Sequence, residues 1–379
     1  MTADTAGSVT PRELRHRLAA GEAVTLLDVR NRDEVDRWRI EAPSVDFHNV
    51  PYMTFVAARV TDNITDLLPA DLTEPVVVVC PRGEASAEVA DQLVAGGVAA
   101  ENLDGGMAAW ARLYDRMELD AGDGATVFQY HRPASGCLGY AVVSAGEMAV
   151  IDPLRAFADR YRSAAADRTL VAAVDTHIHA DHVSGVRTLA ATTDATPILS
   201  AAAAERGVAD AARFTTVTDG DELTVGETTL TAVSLPGHTT GMTGVRVGDV
   251  LLTGDSLFLD GVARPDLQED ADPDAQARTL YATLTERLET FPDRTLVAPG
   301  HTEASVEEPG PRVASLGDLR SRLAVFGMDE ATFVDHVTRV GADPANAARI
   351  VAINRGQESV DDETAFELEL GPNNCAVGA

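Results

Sequence analysis

The sequence contains no lysine. Its thirty basic residues are therefore all arginine, and they face sixty Asp and Glu for a formal net charge of −30. A surface this acidic repels phosphate backbones, so nucleic acid is not expected as a partner. No run approaches the ~18 consecutive apolar residues of a membrane-spanning helix. The opening MTADTAGSVTPRELRHR has no apolar h-region, so it does not read as a secretory signal. The expectation is a cytoplasmic chain with no membrane partner. Cysteine is also scarce. Cys80, Cys137 and Cys375 are odd in number and widely spaced, which excludes a disulfide framework or a Cys-rich zinc site and leaves room for one special thiol. High charge with few aromatics is the signature of disorder, but 45% of this chain is apolar, in regular β-branched runs. The acidity reads instead as adaptation to high salt, where charges are screened within ~3 Å at 1 M.

A single core rarely exceeds ~250–300 residues, and 379 residues predict two domains with possible homo-oligomers. In the first, VTLLDV (24–29) and VVVVC (76–80) read as buried parallel strands. A helix is expected after Cys80, stopped by Gly96-Gly97, and a second over MAAWARLYDRM; the pattern is α/β. LDAGDGA (119–125) reads as a linker. Beyond it, 141–153 reads as a hairpin, 170–177, 227–238, 244–255 and 294–301 as strands, and 183–191, 201–212 and 273–290 as helical. Residues 311–379 read as helical to about 355 and then as an acidic, loop-like tail. The expected division is 10–118, a linker at 119–125, 126–310 and a C-terminal extension at 311–379.

Four apolar runs of the second region end in ligand-type residues. LVAAVD leads into Thr-His177-Ile-His179-Ala-Asp181-His182, LTAVSLPG into His238, DVLLTG into Asp255 and TLVAPG into His301. Strand ends deliver side chains to one rim of a sheet, and imidazole with carboxylate is the donor set of zinc and non-haem iron. A lone histidine at a strand end is ordinarily a satisfied surface group. Five of the nine histidines fall at these positions, three within six residues, which a scatter of surface groups does not explain.

THIHADH, LPGHT, LLTGDSLF and APGH resemble, in order and spacing, the signatures of the metallo-β-lactamase superfamily. The resemblance spans about 125–305 and implies an αββα sandwich with metal at one edge. Ser135-Gly136-Cys137, Val150-Ile151-Asp152-Pro153 and GDSLFLDGVARPDLQ are similar to the persulfide dioxygenase and glyoxalase-II-like branch, as are IVAINRG and GPNNCAV downstream. For a persulfide dioxygenase the resemblance implies one Fe(II) per chain on His177, His238 and Asp255, the two-His, one-carboxylate set of O₂-using iron. For the hydrolase branch it implies two zincs per chain: His179 joins the first metal, Asp181, His182 and His301 hold the second, and Asp255 bridges them. All seven residues are present, so residue identity does not choose between the two. Arg264, in GVARPD, matches a position near the substrate thiol; an ion pair with Asp266 is the alternative. No match to the glutathione-binding helical domain of glyoxalase II is visible.

Cys80 follows an apolar strand and precedes a helix, where free backbone N–H groups and the dipole stabilise a thiolate. LLDVRNRDEV, VVVVCPRGEAS and NLDGGMAAW resemble a rhodanese domain over residues 10–118. The resemblance implies a structural Asp28–Arg30 pair and a six-residue loop, Cys80 to Ala85, in which Cys80 carries sulfane sulfur. Ala85 stands where Arg is frequent, and Arg82 is the nearby candidate to bind a sulfur anion. Together the two resemblances imply a sulfur-metabolism enzyme that uses a low-molecular-weight thiol persulfide and O₂.

Overall fold

The computed structural model describes residues 5–59, 64–69, 72–122, 124–304, 306–339, 346–371 and 375–378. Its first unit is a parallel sheet of β1 (Gly7–Val9), β2 (Val24–Asp28), β3 (Val45–Asn49), β4 (Val76–Val79) and β5 (Ala100–Leu103), in the order β1-β5-β4-β2-β3. β4 is four valines, all fully buried, as a strand covered on both faces requires. Val77 and Val79 join Leu26, Leu14 and Trp110 on one face, and Val76 and Val78 join Leu27, Phe55 and Leu93 on the other. Each such side chain contributes about 1.5–3 kcal/mol on burial. Asp28 and Arg30 form the expected buried ion pair at 2.7 Å.

The second unit holds two facing sheets. One runs β12-β11-β10-β9-β8-β7-β6, comprising β6 (Asp115–Asp120), β7 (Thr126–His131), β8 (Leu138–Ser144), β9 (Glu147–Ile151), β10 (Thr169–Val174), β11 (Thr196–Ser200) and β12 (Thr215–Val217). The other runs β13-β14-β15-β16-β18-β19, from β13 (Glu222–Val225), β14 (Thr228–Ser234), β15 (Thr243–Val247), β16 (Val250–Gly254), β18 (Leu296–Pro299) and β19 (Ala314–Ser315). Between them lies a core of alternate side chains, with Val127, Tyr140, Ile151 and Val174 from one sheet and Leu230, Val245, Leu252 and Ala298 from the other. The outer faces pack on helices: Ala158–Ala164 and Val186–Thr192 on one side, Pro273–Ala282, Leu316–Arg322 and Glu330–Val337 on the other. This is the expected αββα sandwich.

Three expectations change. MAAWARLYDRM is helical only to Trp110, because DRMELD has a period of two: Met117 and Leu119 point inward while Arg116 and Glu118 point out, and the segment is β6. β6 pairs antiparallel with β7, so Leu119 and Asp120, within the expected linker, belong to the second sheet. The tail also contains structure. Helix Asp362–Leu368 is capped by Asp361, whose side chain accepts from Thr364 N, and buries Ala365, Phe366 and Leu368. Beyond it β20 (Ala376–Gly378) pairs with β17 (Gly261–Ala263). Among the described residues no helix is long and apolar enough to cross a membrane.

Candidate metal centre

β9 runs parallel to β10, and β16 parallel to β18, so each pair presents its C-terminal ends together. From these ends and the turn after β14 come Asp152, the run 177–182, Asp255, His301 and His238. The histidines of the set, and Asp255, are buried. Gly300 is obligatory here, since a Cβ on it would collide with Asp255 Oδ1.

His177, His238 and Asp255 converge as expected. His177 Nε2 lies 3.8 Å and His238 Nε2 3.9 Å from Asp255 Oδ2. These separations are too long for hydrogen bonds and suit donors around one cation. His177 Nε2 and Asp255 Oδ2 are buried with no hydrogen-bond partner, a costly arrangement unless an ion completes it. The other ring nitrogens are committed. His238 Nδ1 donates to the Arg264 carbonyl at 2.8 Å. Thr176 Oγ1 donates to Asp152 Oδ2, so its lone pair accepts from His177 Nδ1 at 3.0 Å. These bonds fix the tautomers and leave each Nε2 to bind metal. Burial pushes the His177 and His238 rings down, toward the neutral form a ligand needs. Burial pushes Asp255 up, but the His301, His177 and His238 rings outweigh it and hold the carboxyl below its usual range. The donor set fits a single Fe or Zn ion.

The remaining four residues do not assemble as one set. His179 Nε2 faces Asp152 Oδ1 at 3.1 Å and Asp175 Oδ1 at 3.6 Å. Burial works against its charged form, but these carboxylates outweigh it and raise the ring's pKa well above its ordinary value; its Nδ1 faces Asp181 Oδ1 at 3.8 Å. His301 donates from Nδ1 to Asp255 Oδ1 at 3.0 Å. His182 Nδ1 lies 3.1 Å from Asp181 Oδ2, which also accepts from the Cys137 thiol at 3.2 Å. Arg264, buried rather than at the surface, pairs its guanidinium with Asp266 at 2.8 Å, and its carbonyl accepts from His238 Nδ1.

The C-terminal extension supplies residues that sequence reasoning missed. Asn354 Nδ2 donates to the His179 and His182 carbonyls at 2.9 and 2.8 Å, and its Oδ1 accepts from Ser184 N at 2.8 Å. Glu369 Oε1 accepts from Val183 N at 2.8 Å, and its Oε2 pairs with Arg132 Nη1 at 2.7 Å, both side chains being buried. Arg132 Nε reaches the Ala111 carbonyl of the first unit. Asn354 stood within the recognised IVAINRG, but only the fold shows that it grips the 177–182 loop.

In the first unit, Cys80 follows β4 and precedes helix Glu84–Ala95. Its buried Sγ accepts from Gly83 N at 3.0 Å and Ser86 Oγ at 3.1 Å. A Cβ on Gly106 would strike the Cys80 carbonyl and the loop amides, so the loop needs that glycine. Arg82 turns away from the thiol. Its side chain is 61% exposed and pairs with Glu363 at 2.8 Å on the C-terminal extension.

Fold and site together define a metal-dependent sandwich joined to a rhodanese-type unit, and comparison with known proteins agrees. The Rhodanese-like domain family matches residues 10–113, and the Metallo-beta-lactamase superfamily matches 132–301. The mitochondrial persulfide dioxygenase ETHE1 of Bos taurus is 30% identical over 206 residues, covering 51% of this chain and 77% of that protein. The crystal structure of ETHE1 from Myxococcus xanthus is 30% identical, with a TM-score of 0.53, covering 60% of this chain and 97% of that one. A hydroxyacylglutathione hydrolase of Polaromonas is 35% identical over 164 residues, covering 41% of this chain and 57% of that protein. The chain belongs to the ETHE1 family of metallo-β-lactamase-fold enzymes, with a rhodanese-like domain preceding the sandwich.

Proposed function

We propose that this enzyme oxidises a low-molecular-weight thiol persulfide with O₂ at one Fe(II), and that its rhodanese-like domain transfers sulfane sulfur through Cys80. The balanced reaction is RSSH + O₂ + H₂O → RSH + sulfite + two H⁺. The observation that carries the reading is the convergence of His177, His238 and Asp255 as a buried two-His, one-carboxylate set whose ligand atoms lie within 4.8 Å of one another. Iron held there would supply open positions for O₂ and a sulfur ligand. The protein's share is orientation. Asp152 acts through Thr176 on His177, the Arg264 carbonyl fixes His238, and His301 fixes Asp255, with the Phe258 ring 4.1 Å from the His301 ring closing that side. At Cys80 the Gly83 amide and the Ser86 hydroxyl are placed to hold a thiolate or an enzyme persulfide.

The test is metal analysis of protein purified without oxygen, followed by O₂ uptake with a thiol persulfide. One iron per chain and sulfite formed in step with O₂ consumption are expected. Two zincs per chain with rapid thioester hydrolysis in the absence of O₂ would overturn the reading in favour of the hydrolase branch.

A further inference from the structure

We propose that Arg206 and Arg355 form an anion site on the flank of the 177–182 loop, suited to a carboxylate or a small oxyanion such as sulfite. Arg206 follows the short helix Ala201–Ala204, and Arg355 ends the helix Ala347–Asn354, whose last residue holds the His179 and His182 carbonyls. Ile178 of the same loop packs with Ala203 and Val208 on either side of Arg206. Four hydrogen bonds bring the two segments together. The Arg355 carbonyl accepts from Ala209 N at 2.7 Å and from Arg187 Nη2 at 3.3 Å. The same Arg187 nitrogen donates to the Ala209 carbonyl at 3.0 Å, and Gln357 Nε2 donates to the Gly207 carbonyl at 2.8 Å. Gly356 has a φ of 72°, and a Cβ on it would lie 2.8 Å from Arg187 Nη2, so the turn that follows Arg355 needs its glycine.

The charge at this place is unbalanced. Only 8% of the Arg206 side chain is exposed, yet its Nε and Nη1 are buried with no hydrogen-bond partner. Among the described residues no carboxylate comes closer to it than the exposed Asp270, at 4.0 Å. Arg355 Nε is likewise buried without a partner. A buried guanidinium is costly unless it is paired, and acids outnumber bases two to one in this chain, sixty to thirty. Burial first, and then the Arg355 charge, pull the Arg206 guanidinium below its ordinary value, against the opposing pull of Asp270 and Glu269. Water would fill the bare donors but leave the two positive charges opposed. An anion answers both needs, and the planar guanidinium matches the paired oxygens of a carboxylate or a sulfur oxyanion.

The inference does not rest on the dioxygenase reading: neither arginine is a candidate metal ligand, and binding is read without turnover. Full-length protein is titrated at fixed ionic strength in potassium chloride, with millimolar sulfite in one arm and propionate in the other. The readouts are the heat of binding and the rise in melting temperature. At least one anion should bind; sulfite alone assigns a free oxyanion, and propionate alone assigns the carboxylate of a larger molecule. Arg206→Gln and Arg355→Gln should each weaken that binding at least tenfold, whereas an anion held at the metal would be untouched by either. Arg206→Gln should also melt no lower than the wild type in chloride alone, because it removes an unbalanced buried charge. If Arg206→Gln fails to fold, Arg355→Gln decides. Binding of neither anion, or binding unchanged in either folded variant, would overturn the proposal.

Discussion

Cys80 and His177 each stand shortly after a buried parallel strand, β4 in one unit and β10 in the other, yet they are held by different means. The thiol is served by its own loop and the start of the next helix: both donors to its sulfur lie within six residues of it. The imidazole is one of three candidate ligands drawn from three strand ends, and its loop is gripped by Asn354 and Glu369 from more than 170 residues away. A site of the first kind needs its own segment and the Gly106 turn packed against it. A site of the second kind exists only when the whole sandwich and the C-terminal extension are in place, so a distant substitution can disturb it.

The sharpest way to break this comparison is to empty one site and read the other. His177→Ala or Asp255→Asn should abolish metal binding at the first set and O₂ consumption, while sulfur transfer from a persulfide or thiosulfate to a thiol continues at the wild-type rate. A matching fall in sulfur transfer would show that the sites share one path. The reciprocal change, Cys80→Ser, should remove sulfur transfer and leave iron content and oxidation of supplied persulfide unchanged, assayed on the same preparation.

The long-range support should be costly to remove. Glu369→Ala strands the buried Arg132 guanidinium, and breaking such a pair costs about 3–5 kcal/mol; the urea midpoint should fall accordingly. Asn354→Ala should act more selectively. Partners of a metal-binding loop are typically worth 10–100-fold in metal affinity, so a competition titration should show a loss of that order with Cys80-dependent transfer intact. The smallest effect is expected at Arg82. Its ion pair with Glu363 is exposed, and such pairs are worth about 0–1 kcal/mol. Arg82→Ala should therefore leave the melting temperature nearly unchanged and sulfur transfer within twofold; a collapse of transfer would return Arg82 to the sulfur site.

What the sequence determined by itself was whatever depends on short segments and residue type. The valines of β4 dictate a strand buried on both faces, the spacing after Cys80 dictates a strand-loop-helix thiol site, and crowding histidines at the ends of apolar runs mark the candidate metal centre. The pairing of Asp115–Asp120 with Thr126–His131 was hidden because the Gly- and Asp-rich sequence between them has the composition of a linker, and the helix at 362–368 because its three buried apolar side chains are matched by three acidic ones. Only the tertiary structure divided the seven metal-type residues. A ring nitrogen becomes a ligand or a hydrogen-bond donor according to what faces it. For His179 that is Asp152, 27 residues away, and for Asp181 it is Cys137, 44 residues away. For Arg264 it is Asp266 at the guanidinium and His238 at the carbonyl. Residue type sets the chemistry a position can perform; packing that brings distant groups into hydrogen-bond distance decides which chemistry it performs.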